Sequence, residues 1–297
     1  MSPNSFRFYC LLLLGMLFLT GCGIILQAPP INTPAPPTLT ATLSPTSTPT
    51  ATPLSPTSTP ITICTETTGV IEKGVIRTTL LDKPMTYNVY LPPCYGFDES
   101  QRYPVLYLLH GQNSNEEQWV RIGAVSAADQ IISTEEIHPF IIVFPYDYSY
   151  KQPAEYKFEE VFIDLLIPQI DLFYRTQTRG SQRAVGGLSR GGAWALRLGT
   201  RHAELFGAIG GHSPAIFYTD EKPLIKRLLE IQPAQLPRIW LDAGNNDSEY
   251  NVVVPFEQFL SENNIPHEWH EYQGWHDEKY WSAHVKEYLI WYAQNWK

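Results

Sequence analysis

Charge is scarce in this 297-residue chain: 17% of its residues are Asp, Glu, Lys or Arg, against 43% hydrophobic. That balance excludes a wholly disordered chain, which would need low hydrophobicity and high charge. Basic residues are the scarcer sign, 21 against 30 acidic, giving a net charge of −9. No basic stripe is present, so nucleic acid is not an expected partner. There are four cysteines, and no His/Cys cluster has ligand spacing, so neither a metal nor a cofactor is expected. The missing charge is unevenly spread. Arg7 is the sole charged residue before Glu66, and Ala28 to Pro60 holds none.

The amino end contains apolar residues instead. Phe8 to Leu26 is almost continuously hydrophobic behind Arg7, the pattern of a secretory signal. Leu19-Thr20-Gly21-Cys22 closes it and resembles the lipobox of bacterial lipoproteins. That resemblance implies that residues 1–21 are a signal peptide, cut before a lipidated Cys22 that anchors the chain to a membrane. The competing expectation is an uncleaved anchor, since about 19 apolar residues just span a bilayer. On either expectation the rest of the chain is exported, to the cell surface or the periplasmic face of a membrane.

Residues 22–63 read as a tether. Ten of the 25 prolines fall between Ala28 and Pro60 with ten threonines and four serines, and Leu43-Ser-Pro-Thr-Ser-Thr-Pro49 recurs as Leu54-Ser-Pro-Thr-Ser-Thr-Pro60. Such spacing of proline prevents helix and sheet alike and leaves an extended, semi-rigid chain on the order of 100 Å long. With Cys10 in the signal and Cys22 lipidated, Cys64 and Cys94 remain. In an exported protein they are expected to form a disulfide.

Residues 64–297 then form one α/β domain. Val70–Leu81 and Met85–Leu91 alternate as a hairpin around Asp82-Lys83-Pro84. Short apolar runs at 104–109 and 140–144 suit buried parallel strands, with further strands at 184–188, 206–209, 238–242 and 267–272. Helical periods fit 191–200, 252–263 and 280–295, and a stripe from Phe158 to Phe173 should be kinked by Pro168. Strand alternating with helix predicts a mostly parallel sheet, preceded by the antiparallel hairpin and covered on both faces.

Gly187-Leu188-Ser189-Arg190-Gly191 has the G-x-S-x-G pattern between a strand and a helix. The glycines admit a sharp turn that exposes the serine, and the helix N-terminus supplies amides for developing negative charge. A nucleophilic serine needs a base, and the base needs an orienting carboxylate, in the chain order Ser, acid, His. Asp242 and Asp247 compete as the acid, with Asp247 favoured because it lies in the loop beyond Gly244. His276 follows the last strand and is the expected base, while His267, His270 and His284 fall within regular elements. The amides of Arg190 and Gln112 are the expected oxyanion donors. His110, Trp119 and Trp275 are candidate substrate contacts, and His110 also suits a bracing role in its loop.

Tyr107-Leu-Leu-His-Gly111, Gly187-Leu-Ser-Arg-Gly-Gly192, Leu205-Phe-Gly207 with His212-Ser213, Asp242-Ala-Gly with Asp247, and Gly274-Trp-His276 with Trp281 resemble the esterase D-like family of α/β-hydrolases. The likeness runs from about Val70 to Trp296. That family includes feruloyl and acetyl-xylan esterases, S-formylglutathione hydrolase, enterobactin-type esterases and mycolyltransferases. The resemblance implies a serine esterase acting through an acyl-enzyme, with Ser189, Asp247 and His276 as triad and a small-molecule or polysaccharide ester as substrate. It leaves open an acyltransferase, and a relic that only binds glycan is a third expectation. Arg190 departs from the apolar residue or Gln of many members, so its side chain is expected to obstruct or recruit an anionic substrate.

Overall fold

The computed structural model describes residues 64–296; the expected signal peptide, the lipidation site at Cys22 and the tether lie outside the described residues. Among the described residues, no helix is long and apolar enough to cross a membrane.

Eight strands form one sheet in the order β1-β2-β4-β3-β5-β6-β7-β8. The edge strand β1 (Val70–Ile76) pairs antiparallel with β2 (Met85–Leu91), and β2 pairs antiparallel with β4 (Ile141–Pro145). The strands β3 (Val105–Leu109), β4, β5 (Arg183–Leu188), β6 (Ala208–His212), β7 (Arg238–Gly244) and β8 (Glu268–Tyr272) are parallel. Only β2 runs against the rest, and the sheet has the α/β-hydrolase arrangement. Strands β3, β4 and β5 are buried along their whole length, which is why their sequences, apart from Arg183 at the start of β5, carry no charge and do not alternate.

Successive strand residues point to opposite faces, so each central strand feeds two cores. Leu106, Leu108, Ile142, Phe144 and Trp240 meet α1 (Gln118–Arg121), α2 (Ala124–Ser133) and, from the carboxyl end, α8 (Glu278–Ala293). Val105, Tyr107, Leu109, Val143, Val185 and Leu241 meet α3 (Phe158–Val161), α4 (Ile167–Phe173), α5 (Arg190–Arg201), α6 (Glu221–Glu230) and α7 (Tyr250–Glu262).

The first hairpin is shorter than the alternation predicts. Its register runs from Val70 opposite Leu91 to Ile76 opposite Met85, leaving residues 77–84 as the connection. Leu81 supplies an apolar signal there because it is buried from within the loop. The stripe before Phe173 is interrupted as Pro168 requires. A π-helical turn, Phe162–Leu166, separates α3 from α4. Proline has no N–H for the carbonyl four residues back, and a π turn is one way the chain absorbs that loss. Cys64 and Cys94 form a disulfide with Cα atoms 5.9 Å apart, tying the start of the domain to the segment after β2.

Candidate active site

Ser189 sits between β5 and α5 with φ 54° and ψ −121°, a conformation costing on the order of 1–3 kcal/mol in a residue with a side chain. The surroundings fix it. Its N–H donates to the His212 carbonyl at 2.9 Å, and its own carbonyl accepts from the amides of Ala193 and Ala215, each at 3.1 Å. The turn closes tightly enough that a Cβ on Gly187 would overlap Gly191, and one on Gly191 would overlap the backbone of Leu109 and His110. Both glycines of the pentapeptide are therefore required by close approach.

Ser189 Oγ lies 2.8 Å from His276 Nε2, and His276 Nδ1 lies 2.8 Å from Asp247 Oδ1. Asp247 Oδ1 also accepts the Glu249 amide at 2.7 Å. Burial alone would raise the Asp247 pKa, but the His276 imidazole, the nearby Ser213 hydroxyl and the Glu249 amide outweigh it and hold it below the ordinary value. An ionised Asp247 accepts from Nδ1–H, which leaves Nε2 to accept the serine proton.

Asp242 has other partners. It is fully buried, and its oxygens accept from Trp240 Nε1 at 2.8 Å, Tyr280 Oη at 2.8 Å and Tyr288 Oη at 2.9 Å, with His212 Nδ1 at 2.6 Å. Burial pushes the phenols of Tyr280 and Tyr288 well up, so they stay neutral donors. The other expected structural histidines also lie in packing roles: His270 stacks on Trp240 and His284 on Tyr272.

Gln112 lies in the loop after β3 and Arg190 opens α5; neither backbone N–H donates to a described acceptor. The loop carrying Gln112 is held from several sides. The Gly111 amide donates to Gln118 Oε1 at 2.8 Å, and Gln118 Nε2 donates to Glu278 at 3.0 Å. His110 Nε2 accepts the Asp147 amide at 2.9 Å, so its Nδ1–H donates to the Gly111 carbonyl at 2.7 Å. Burial lowers the His110 pKa, in keeping with this neutral form.

Three sequence expectations are corrected here. His110 is 4% exposed and Trp119 1%, with Trp119 Nε1 donating to the Leu109 carbonyl at 2.9 Å. Both are enclosed within the fold and offer no substrate surface. The Arg190 side chain does not face a substrate either: its Nε donates to Asp147 Oδ2 at 2.8 Å and its Nη2 to the Lys151 carbonyl at 2.8 Å, all buried or nearly so. Trp275, by contrast, is 64% exposed beside His276.

Sequence reasoning missed Asp147, which also accepts Trp194 Nε1 at 2.8 Å. The available signal was positional: it is the only acidic residue between Glu136 and Glu155 and directly follows a buried strand. Gln118 and Glu278 carried no comparable signal. Among the described residues, the one grouping with metal-like spacing is Cys64, Glu66 and Cys94, and its two sulfurs are already bonded to each other.

Known proteins resemble the chain in sequence and in fold. Over 150 residues the chain is 38% identical to an endo-1,4-beta-xylanase/feruloyl esterase of Xylanibacter ruminicola, covering 47% of this chain and 21% of that protein. Endo-1,4-beta-xylanase Y of Acetivibrio thermocellus is 30% identical over 117 residues, 35% of this chain and 11% of that one. The chain thus spans about a fifth or less of these curated relatives. Among solved structures, a ferulic acid esterase superposes with TM-score 0.70 at 24% identity, covering 77% of this chain and all of that one. The ferulic acid esterase of Anaeromyces mucronatus superposes with TM-score 0.61 at 22% identity, over 80% of this chain and 93% of that one. These structural likenesses establish the fold. Residues 78–292 match the family described as "Putative esterase", and the chain belongs to that family.

Proposed function

We propose that the domain is a serine carboxylic-ester hydrolase, exported and tethered through Cys22, that removes acyl groups such as feruloyl or acetyl from carbohydrate. The observation that carries the chemistry is the unbroken chain from Ser189 Oγ through His276 to Asp247, each link 2.8 Å. His276 Nε2 takes the Ser189 proton as Oγ bonds to the ester carbonyl carbon, and the resulting oxyanion lies against the amides of Gln112 and Arg190. His276 then returns the proton to the departing alkoxide as the C–O bond breaks, leaving an acyl-serine. Water attacks that ester, gives its proton to His276, and the acid leaves as Ser189 regains its hydrogen.

The carbohydrate half of the reading is supported by the Xylanibacter ruminicola relative, whose name combines xylanase and feruloyl esterase. Export is supported by the apolar amino end and by a disulfide of the kind that persists in oxidising compartments. The test is hydrolysis by wild type and Ser189→Ala of acetylated xylan, feruloyl esters and p-nitrophenyl acetate. Wild type should turn over at least one, and the variant, folded by circular dichroism, none. Equal turnover by both would reject the assignment of Ser189.

A further inference from the structure

Of the eight tryptophans, six are buried to 4% exposure or less and Trp269 is partly buried; Trp275, at 64%, is the exception. An indole is costly to leave in water, and among the described residues the Trp275 ring has no hydrogen-bond or aromatic partner to hold it there. It stands beside a cleft of about 370 Å³ lined by Gln273, Trp275, Asp277, Lys279, Tyr280 and His284. The volume falls within the range of small-molecule sites.

The position of this cleft relative to the chemistry decides which half of an ester it meets. His276 turns its ring inward, to Ser189 at 2.8 Å and edge-on to Trp281. Its chain neighbours Trp275 and Asp277 line the cleft. Nε2 is the atom that protonates the leaving alkoxide, so the alcohol half departs on the His276 side. The cleft lining includes neither Ser189 nor His276, so the cleft adjoins the chemistry through the β8–α8 loop, on the side where the alcohol would leave.

The lining then narrows the alcohol's chemistry. Gln273 and Lys279 are exposed, and Asp277 uses one oxygen to cap α8 through the Tyr280 amide at 2.9 Å, leaving the other. One acid, one base, an amide and an imidazole around an exposed indole carry no surplus of either sign. An anion gains nothing here, and Arg190, the cation nearest the nucleophile in sequence, is already committed to Asp147. A neutral ring with one apolar face and several hydroxyls matches both the indole and its polar rim.

The geometry points to Trp275 and its cleft as the subsite for the alcohol half of the substrate, a neutral oligosaccharide whose ring stacks on the indole. This deepens the proposed esterase reading and rests on it. The binding itself needs no turnover. Titration calorimetry of the wild-type protein with unesterified xylo-, cello-, arabino- and manno-oligosaccharides should therefore give a saturating signal for at least one. Trp275→Ala should weaken that binding about tenfold or more, the size of a lost aromatic contact, while Trp275→Phe retains most of it; thermal midpoints verify that both variants fold. With the matching acylated oligosaccharide, Trp275→Ala should act mainly by raising KM, as loss of uniform binding does. No binding by any of the four classes at about 10 mM, or equal binding by Trp275→Ala, would overturn the subsite. Failure of Ser189→Ala to abolish hydrolysis would instead overturn the catalytic reading, so the two are separable.

Discussion

Arg190 and Asp147 form a 2.8 Å ion pair, both side chains buried, that joins the residue after Ser189 to the loop after β4. Through its amide, Asp147 also holds His110, and His110 holds Gly111. One residue, by its carboxylate on one side and its amide on the other, thus ties together the two strand ends whose amides, Arg190 and Gln112, are the proposed oxyanion donors. Asp147→Ala would leave the Arg190 guanidinium and the Trp194 N–H buried and unpaired. The expected cost is about 3–5 kcal/mol of stability, read from urea midpoints. Activity of the folded fraction should fall roughly a hundredfold, the scale of a 1 Å misplacement in a catalytic constellation. A wild-type kcat would show that the oxyanion loop does not depend on this pair.

Asp242 and Asp247 should respond differently to the same change. Asp247→Asn keeps the shape but replaces the anionic acceptor of His276 Nδ1–H with a neutral amide that can donate to Nδ1 and favour the wrong tautomer, and kcat should fall by about 10⁴ with little loss of stability. Asp242→Asn disturbs a buried carboxylate with four partners, so its main effect should be a lowered thermal midpoint. Steady-state kinetics beside thermal melts separate the two. The reverse pattern would mean that the acid of the triad has been misassigned.

Glu159 gives a pH signature away from the site. Burial raises its pKa, but His202, Arg197 and Arg201 outweigh that and bring it to about 2, against an ordinary 4.5. A depressed carboxylate stabilises the fold above its unfolded value, and that stabilisation is lost as pH falls toward the folded one. Wild type should therefore exceed Glu159→Gln in urea midpoint above pH 4.5, with the gap closing between pH 4.5 and about 2. A gap constant across that range would contradict the ionised form.

Removing the Cys64–Cys94 disulfide frees a loop with 30 residues of sequence separation. The double Cys→Ala variant should lose about 3.6 kcal/mol, or roughly 7–15 °C in Tm. Its kcat at 25 °C should hold, since β1 and β2 lie at the far edge of the sheet from Ser189. Scanning calorimetry and a single assay test both halves.

The sheet, the elbow and the order Ser189, Asp247, His276 were legible because each leaves a local trace: an apolar run, a glycine pair, a loop at a strand end. What was not legible depended on distant residues. β6 runs Ala208–His212, beyond the predicted 206–209, because Gly210 and Gly211 carry no apolar signal although the Tyr292 phenol fills the space at Gly210. The helix α2 was missed because alanines at 124 and 128 form much of its buried face. Arg190 looked like a substrate contact because nothing in its own segment announces Asp147, 43 positions earlier. Trp119 and Trp275 read alike as sequence, and only the fold separates a core ring from an exposed one.

In the proposed reaction Ser189 is a nucleophile activated by His276. The direct measurement is intact-protein mass after reaction with a fluorophosphonate probe, for wild type, Ser189→Ala and His276→Ala. Wild type should gain one adduct, located on the peptide holding Ser189; Ser189→Ala should gain none, and His276→Ala should label far more slowly. A wild-type protein that takes up no probe, or a Ser189→Ala protein that labels as fast as wild type, would rule out Ser189 as an activated nucleophile.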